Sequence, residues 1–358
     1  MSAHEILIAV MAAFAALGAV DRICGNRLGL GKEFEDGILA MGSLAMAMIG
    51  VITLAPVLAA LLRPLVAPVF GLLGADGAMF AGSILACDMG GGALAKEMAG
   101  SHEAAMLGGV ITGSMLGATL VFTIPVAMGI LSEEDRPAMA KGILCGIVTI
   151  PVGILAGGIA AGFPVGMVLR NLIPIVIIGG LIALGLWKKE TAMIRGFGAF
   201  GKGVVTLITI GLASAIVEAL TGFAVIPGMA PIEEGFQTVG AIAIVLAGAF
   251  PLVFVLTKLL KKPLLKLGRL LGINDVAAAG LVASLANSIA TFGLVKDMDR
   301  RGKVVNIAFA VSAAFVFGDH LGFTAGFAPE MLPAMIVGKL AGGISAVAVA
   351  LWLTRKER

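Results

Sequence analysis

Long apolar runs separated by short polar joints recur from one end of the chain to the other. They fall at about 5–21, 38–62, 78–95, 104–130, 139–161, 166–187, 203–222, 238–260, 275–295, 304–327 and 330–353. Most approach the roughly 20 residues that a helix needs to cross a bilayer, and nothing between them is long or polar enough for a soluble domain. The pattern predicts an all-α polytopic membrane protein. The first run follows His4-Glu5 rather than a basic region and has no small-x-small cleavage site, so it reads as a retained helix and not a leader.

Two runs break near their middles, 78–95 at Asp88 with Gly90, Gly91 and Gly92, and 275–295 at Asn287-Ser288. Each glycine weakens a helix by about 1 kcal/mol, so the three together predict a hinge. The second run has Lys258, Lys261, Lys262, Lys266 and Arg269 before it and Lys296, Arg300, Arg301 and Lys303 after it. Both flanks seek the cytoplasm. A segment with both ends on one side is a re-entrant hairpin, whose non-helical tip must face protein or water. The same reading extends to 78–95, which holds the equivalent place earlier in the chain.

That equivalence comes from a hidden repeat. Leu72-Leu73-Gly74 and Ala81-Gly82 recur as Leu270-Leu271-Gly272 and Ala279-Gly280 at a constant offset of 198, as do Gly42 and Gly50 at Gly240 and Gly248. Lys96-Glu97-Met98 returns as Lys296-Asp297-Met298 at an offset of 200. The chain therefore divides into a first membrane repeat at 1–160, a connecting helix and cytoplasmic loop at 161–199, and a second repeat at 200–358. With two hairpins set aside, nine crossings remain, and charge places the N-terminus outside and the C-terminus, with its basic tail Arg355-Lys356-Glu357-Arg358, inside. Five crossings separate the repeat starts, so the halves are inverted and their hairpins meet from opposite faces, as in transporters.

Composition agrees, with 59% hydrophobic and 13% charged residues. The net charge of +3 is small and sits at helix ends, which gives nucleic-acid binding no support. Cys24, Cys87 and Cys145 form no spaced pair and read as small buried residues. No HExxH or GxSxG motif is present, so no metal and no catalytic residue is assigned.

The candidate site rests on depth. A carboxylate at membrane depth costs about 2.5–3.5 kcal/mol and persists only with a partner, which singles out Asp88 and Asp319. His320 can share a proton or a hydroxyl, and Asn287 and Ser288 offer neutral donors and acceptors at the second tip. Two deep aspartates, with no Arg or Lys read as deep, favour a cation over an anion. Asp21 and Glu218 read as solvated helix ends, and Thr112, Ser114, Thr119 and Thr123 as backbone-bonded residues. An intramembrane aspartyl protease built on Asp88 and Asp319 is the reading from another class, and it is disfavoured. The chain has no Tyr, and Val316 stands where the first glycine of a Gly-x-Gly-Asp motif belongs.

Four strings carry a more specific resemblance: Phe-Glu-Asp-Gly-Ile-Leu-Ala-Met-Gly-Ser-Leu-Ala-Met-Ala-Met (34–48), Met-Phe-Ala-Gly-Ser-Ile-Leu-Ala-Cys-Asp-Met-Gly-Gly (79–91), Gly-Ile-Val-Thr-Ile-Pro (146–151) and Phe-Ala-Val-Ser-Ala-Ala-Phe-Val-Phe-Gly-Asp-His-Leu-Gly-Phe (309–323). They resemble the EutH family, the ethanolamine permeases of bacterial ethanolamine-utilisation operons, nearly end to end. The joints at 25–33 and 161–166 are shorter than in the longer members, and the 227–237 loop is compact. The resemblance implies a non-enzymatic, multi-pass permease of the bacterial cytoplasmic membrane, with ethanolamine as substrate and no cofactor. Coupling to H+, to Na+ or to neither stays open, as does the carriage of another small amine. Homodimers are common in transporters of this general design and are the expected assembly.

Overall fold

The computed structural model describes residues 2–355. The tail residues Lys356, Glu357 and Arg358, and the side chains of Lys261, Lys262 and Arg269, lie outside the described residues. Every regular element described is helical. Among the described residues, seven helices are long and apolar enough to cross a membrane, beginning with α1 (Ala3–Ile23) and α2 (Leu30–Leu72).

At about 1.5 Å per residue the 43 residues of α2 extend far beyond a bilayer. The helix runs on through Pro56, Pro64 and Pro68, past the expected end of its apolar run. Asp21, read as a solvated helix end, is instead 3% exposed. Its carboxylate accepts from Leu28 N at 2.9 Å and Gly31 N at 3.0 Å, which ties α1 to the start of α2. A buried carboxylate that spends both oxygens on backbone donors is a structural clamp.

The first broken segment forms α3 (Ala78–Ile84) and α4 (Gly91–Met98), which pack against each other. Asp76 joins their outer ends, its carboxylate accepting from Ala78 N at 2.8 Å and Gly100 N at 2.9 Å. Asn171 Oδ1 in turn accepts from Asp76 N at 2.8 Å. The helix that follows, α5 (His102–Ile130), widens into π-helix over Leu107–Gly117 and Thr119–Thr123. Thr112, Ser114 and Thr119 there return hydrogen bonds to backbone carbonyls, as expected. A π-helix of this length is uncommon and tends to sit near functional regions.

After α6 (Arg136–Ala160) comes α7 (Val165–Thr221), whose 57 residues include a non-helical Lys189 at φ −141° and ψ 51°. The expected loop at 188–202 is therefore helical apart from that kink. Lys, Glu, Met and Arg there are strong helix formers. Next come α8 (Ile232–Leu271) and the second broken segment, α9 (Asp275–Ala286) and α10 (Ser288–Leu294), which pack on each other. Asp299 joins their outer ends as Asp76 does in the first: its carboxylate accepts from Asn274 N at 2.8 Å and from Gly302 N at 3.2 Å.

The run at 304–327 is not one helix. It divides into α11 (Arg300–Ala313) and α12 (Asp319–Phe327), joined by an unwound stretch with Phe315 at φ +63°. Phe315 N donates to Ser284 O at 3.1 Å and Phe317 N to Leu285 O at 2.9 Å, so the stretch docks on the end of α9. The last helix is α13 (Leu332–Leu353). The two most extensive helix pairings are α2 with α8 and α6 with α13. The core lies between them, around α3, α4, α5 and α11.

Candidate functional site

The first tip is built by backbone chemistry. Leu85 and Ala86 are extended, and a single 3-10 turn carries Cys87, Asp88 and Met89. Gly90 then takes φ +88°, a conformation that glycine reaches without steric cost. A Cβ there would also strike the Val51 side chain on α2. The three-glycine hinge resolves into one turn residue, Gly90, because Gly91 and Gly92 already belong to α4. Gly92 serves close approach, since a Cβ on it would sit 2.5 Å from the Phe323 ring.

Asp88 lines a cavity of about 170 Å³ together with Asp319, His320, Phe122, Phe315 and Met89. Ser43, Leu44 and Ala47 of α2 close one side, and the other walls come from the first tip, α5 and the 314–320 stretch. His320 Nε2 stands 3.7 Å from the Asp88 carboxylate, and the Cys87 thiol 4.0 Å from it. The His320 side chain is 4% exposed, its ring 5.2 Å from that of Phe315. Among the described residues its Nδ1 has no hydrogen-bond partner. Phe122 and Phe315 meet edge to face at 5.5 Å. The cavity thus combines carboxylates, an imidazole and aromatic faces, a set that suits a small cation bearing a hydroxyl.

Asn287 and Ser288 are not part of this lining. Asn287 caps α10 by accepting from Ile289 N at 2.7 Å, and it lines a neighbouring cavity of about 260 Å³ with Glu33, Phe250, Phe254 and Phe317. Asp319 borders both cavities. Ser288 is fully buried, its hydroxyl without a partner, and lines neither. A third cavity of about 160 Å³ lies on the other side of the first tip, lined by Cys87, Gly90, Lys96, Glu97, Glu234 and Phe323.

The expectation that no Lys or Arg lies deep fails at Lys339. This residue, the eighth of α13, is 1% exposed. Its ammonium donates to Ser114 O on α5 at 2.5 Å and interacts electrostatically with Asp88 and Cys87. It does not line the cavity, whose own charged groups remain carboxylates. The signal was present in the chain, because Lys339 stands well inside the run at 330–353. Cys87, Asp88 and His320 also bring ligand-type atoms within 4.8 Å of one another. Cys24 is exposed, against expectation, while Cys87 and Cys145 are buried.

The fold and this site together define an all-helical, polytopic membrane protein with a small carboxylate-lined cavity among its helices. The chain belongs to the EutH family: residues 3–353 match the family described as "Ethanolamine utilisation protein, EutH". It is 59% identical to the "Probable ethanolamine permease EutH" of Listeria monocytogenes, over 99% of this chain and 95% of that protein. It is 52% identical to the "Uncharacterized protein YxeR" of Bacillus subtilis, over 99% of this chain and 96% of the relative. The Salmonella typhimurium protein, also named "Probable ethanolamine permease EutH", is 48% identical over 395 aligned positions, covering 100% and 97% of the two chains. No solved structure matches the chain.

Proposed function

We propose that the protein is a permease that takes up ethanolamine across the bacterial cytoplasmic membrane by alternating access. The observation that carries this reading is the clustering of Asp88, Asp319 and His320 around one cavity between aromatic walls, in a chain whose relatives are named as probable ethanolamine permeases. An alkylamine is protonated at neutral pH, as Lys is. Its ammonium would rest on Asp88 against Phe122 and Phe315, and its hydroxyl on the His320 imidazole. Charge-assisted bonds contribute about 1.5–3 kcal/mol each, which gives weak binding and easy release.

The architecture proposed for transport is two inverted repeats with nine crossings, α7 supplying two of them on either side of Lys189. The segments α3–α4 and α9–α10 enter as re-entrant hairpins. Several features support this. Each segment has its outer ends joined by one aspartate, Asp76 or Asp299. The partners in the most extensive pairings, α2 with α8 and α6 with α13, are separated by about the repeat offset of 198. Loops assigned to the same side also touch: His102 lies 3.7 Å from Glu330, Arg63 bonds the Glu97 carbonyl, and Lys303 pairs with Asp135. The first two contacts belong to the outer face and the third to the inner, with the N-terminus outside and the C-terminus inside.

The cavities beside Glu97 and beside Asn287 are then the outer and inner approaches to the site. Neutral amine crosses lipid unaided, but its fraction falls about tenfold per pH unit below its pKa. The carrier matters most in acid or at scarce substrate. Labelled-ethanolamine counterflow into proteoliposomes at mildly acid pH tests the reading. Accumulation is expected with the native protein and not with Asp88→Asn, and absence of counterflow from folded, inserted native protein would defeat it.

A further inference from the structure

Of the charged side chains around the site, Lys339 is the one that the permease reading leaves without a task. It is buried to 1% exposure, yet among the described residues its ammonium has one hydrogen bond, to Ser114 O at 2.5 Å, and no ion pair. An ammonium has three donors, and a buried one without a counter-ion is costly enough to need a reason. Its electrostatic partners are Asp88 and Cys87 on the first tip. It stands off the cavity wall, since the lining includes Asp88 and not Lys339. Asp88 therefore faces the cavity with a buried lysine held within electrostatic reach of it.

With both carboxyls ionised and His320 as neutral imidazole, the cavity carries two negative charges, on Asp88 and Asp319. Lys339 adds one positive charge to that set. The empty site then has a single net negative charge, and one monovalent ammonium neutralises it. A dication would leave an uncompensated positive charge among apolar walls, where charge is expensive. We propose that Lys339 is a specificity-determining residue that sets the charge of the site to one, so that monoamines are accepted and diamines refused. The inference rests on the permease reading above and adds the rule by which the site selects its substrate class.

The test is competition at pH 7 between ethanolamine and 1,3-diaminopropane, which is doubly protonated there, measured by binding to the purified full-length protein in lipid nanodiscs. Native protein is expected to prefer ethanolamine. In Lys339→Gln the ratio of the two affinities shifts toward the diamine by about tenfold, the effect of roughly 1.4 kcal/mol. The complementary arm is charge rescue, and where no Lys339 variant folds the native preference itself decides, because a site of two uncompensated carboxylates would favour the diamine over ethanolamine. Asp319→Asn alone brings the count to zero and is expected to lose about tenfold in ethanolamine affinity. Adding Lys339→Gln to it restores the count and most of the affinity. A purely structural Lys339 would move neither the diamine ratio nor the rescue.

The outcomes separate cleanly. No ethanolamine binding by native protein overturns the permease reading itself. Native binding with a folded double variant that shows no rescue overturns the role of Lys339 and leaves the permease reading intact. An unchanged diamine ratio in folded Lys339→Gln does the same.

Discussion

The two broken segments share a plan and differ in chemistry. Each is a pair of short helices whose outer ends are held by an aspartate, and each turns at an interrupted tip. The first tip presents Asp88 to the cavity that also holds His320. The second presents Asn287, which spends its side-chain oxygen on capping α10. Similar backbone architecture has thus been given a charge on one side of the site and a self-satisfied amide on the other. The two segments share a backbone plan, and Asp88 is the charge that one tip carries and the other lacks.

That contrast can be broken by experiment. The largest effect is expected from Asp88→Asn, which should lower counterflow by about a hundredfold through loss of a charge-assisted contact. Asn287→Ala should change transport by less than about threefold while costing roughly 1 kcal/mol of stability through loss of the cap. Equal losses from the two variants would show that the tips share the chemistry after all.

A smaller effect is expected at His320. His320→Ala removes the imidazole that faces Asp88 and should weaken ethanolamine binding by about tenfold, with a smaller effect on ethylamine, which has no hydroxyl to place. Competition binding with the two amines measures the split, and an identical loss for both would take His320 off the hydroxyl. At the turn itself, Gly90→Ala meets both a left-handed backbone and the Val51 side chain. It should cost about 1–3 kcal/mol of stability, read as a fall in melting temperature.

The smallest difference should appear at the outer ends. Asp76→Ala and Asp299→Ala each remove two acceptor bonds to backbone donors. Each should lower stability by about 1–3 kcal/mol and by similar amounts. A much larger fall at one end would show that the two segments are not equivalent supports.

Much of this was legible in the chain because apolar length and charge are strong signals. The runs located the helices, and depth alone singled out Asp88, Asp319 and His320, which the fold brings to one cavity. The break between α11 and α12 was not legible. Gly318 is the single turn-forming residue in 314–318, and the unwinding is held by tertiary bonds to Ser284 and Leu285 that no local pattern announces. The kinked continuity of α7 was missed because charged residues were read as loop, although Lys, Glu and Arg favour helix. Lys339 was missed for a related reason: basic residues were assigned to helix ends, and this one's burial depends on the facing Ser114 carbonyl. Asn287 and Ser288 were placed by repeat position, which locates a tip but not the direction in which its side chains point.

The docking of the unwound stretch also has a mechanical meaning. Phe315 N and Phe317 N are bonded to the last carbonyls of α9, a few peptides before Asp319 and His320. Asn306 on α11 adds a further tie, donating to Ala277 O at 2.9 Å. The first segment is instead moored to α7 through Asn171. The second tip is therefore tied through the main chain to the stretch that leads into Asp319 and His320, whereas the first segment is tied to α7. The segment without a charge at its tip is thus the one wired to two of the three charged or titratable groups of the cavity.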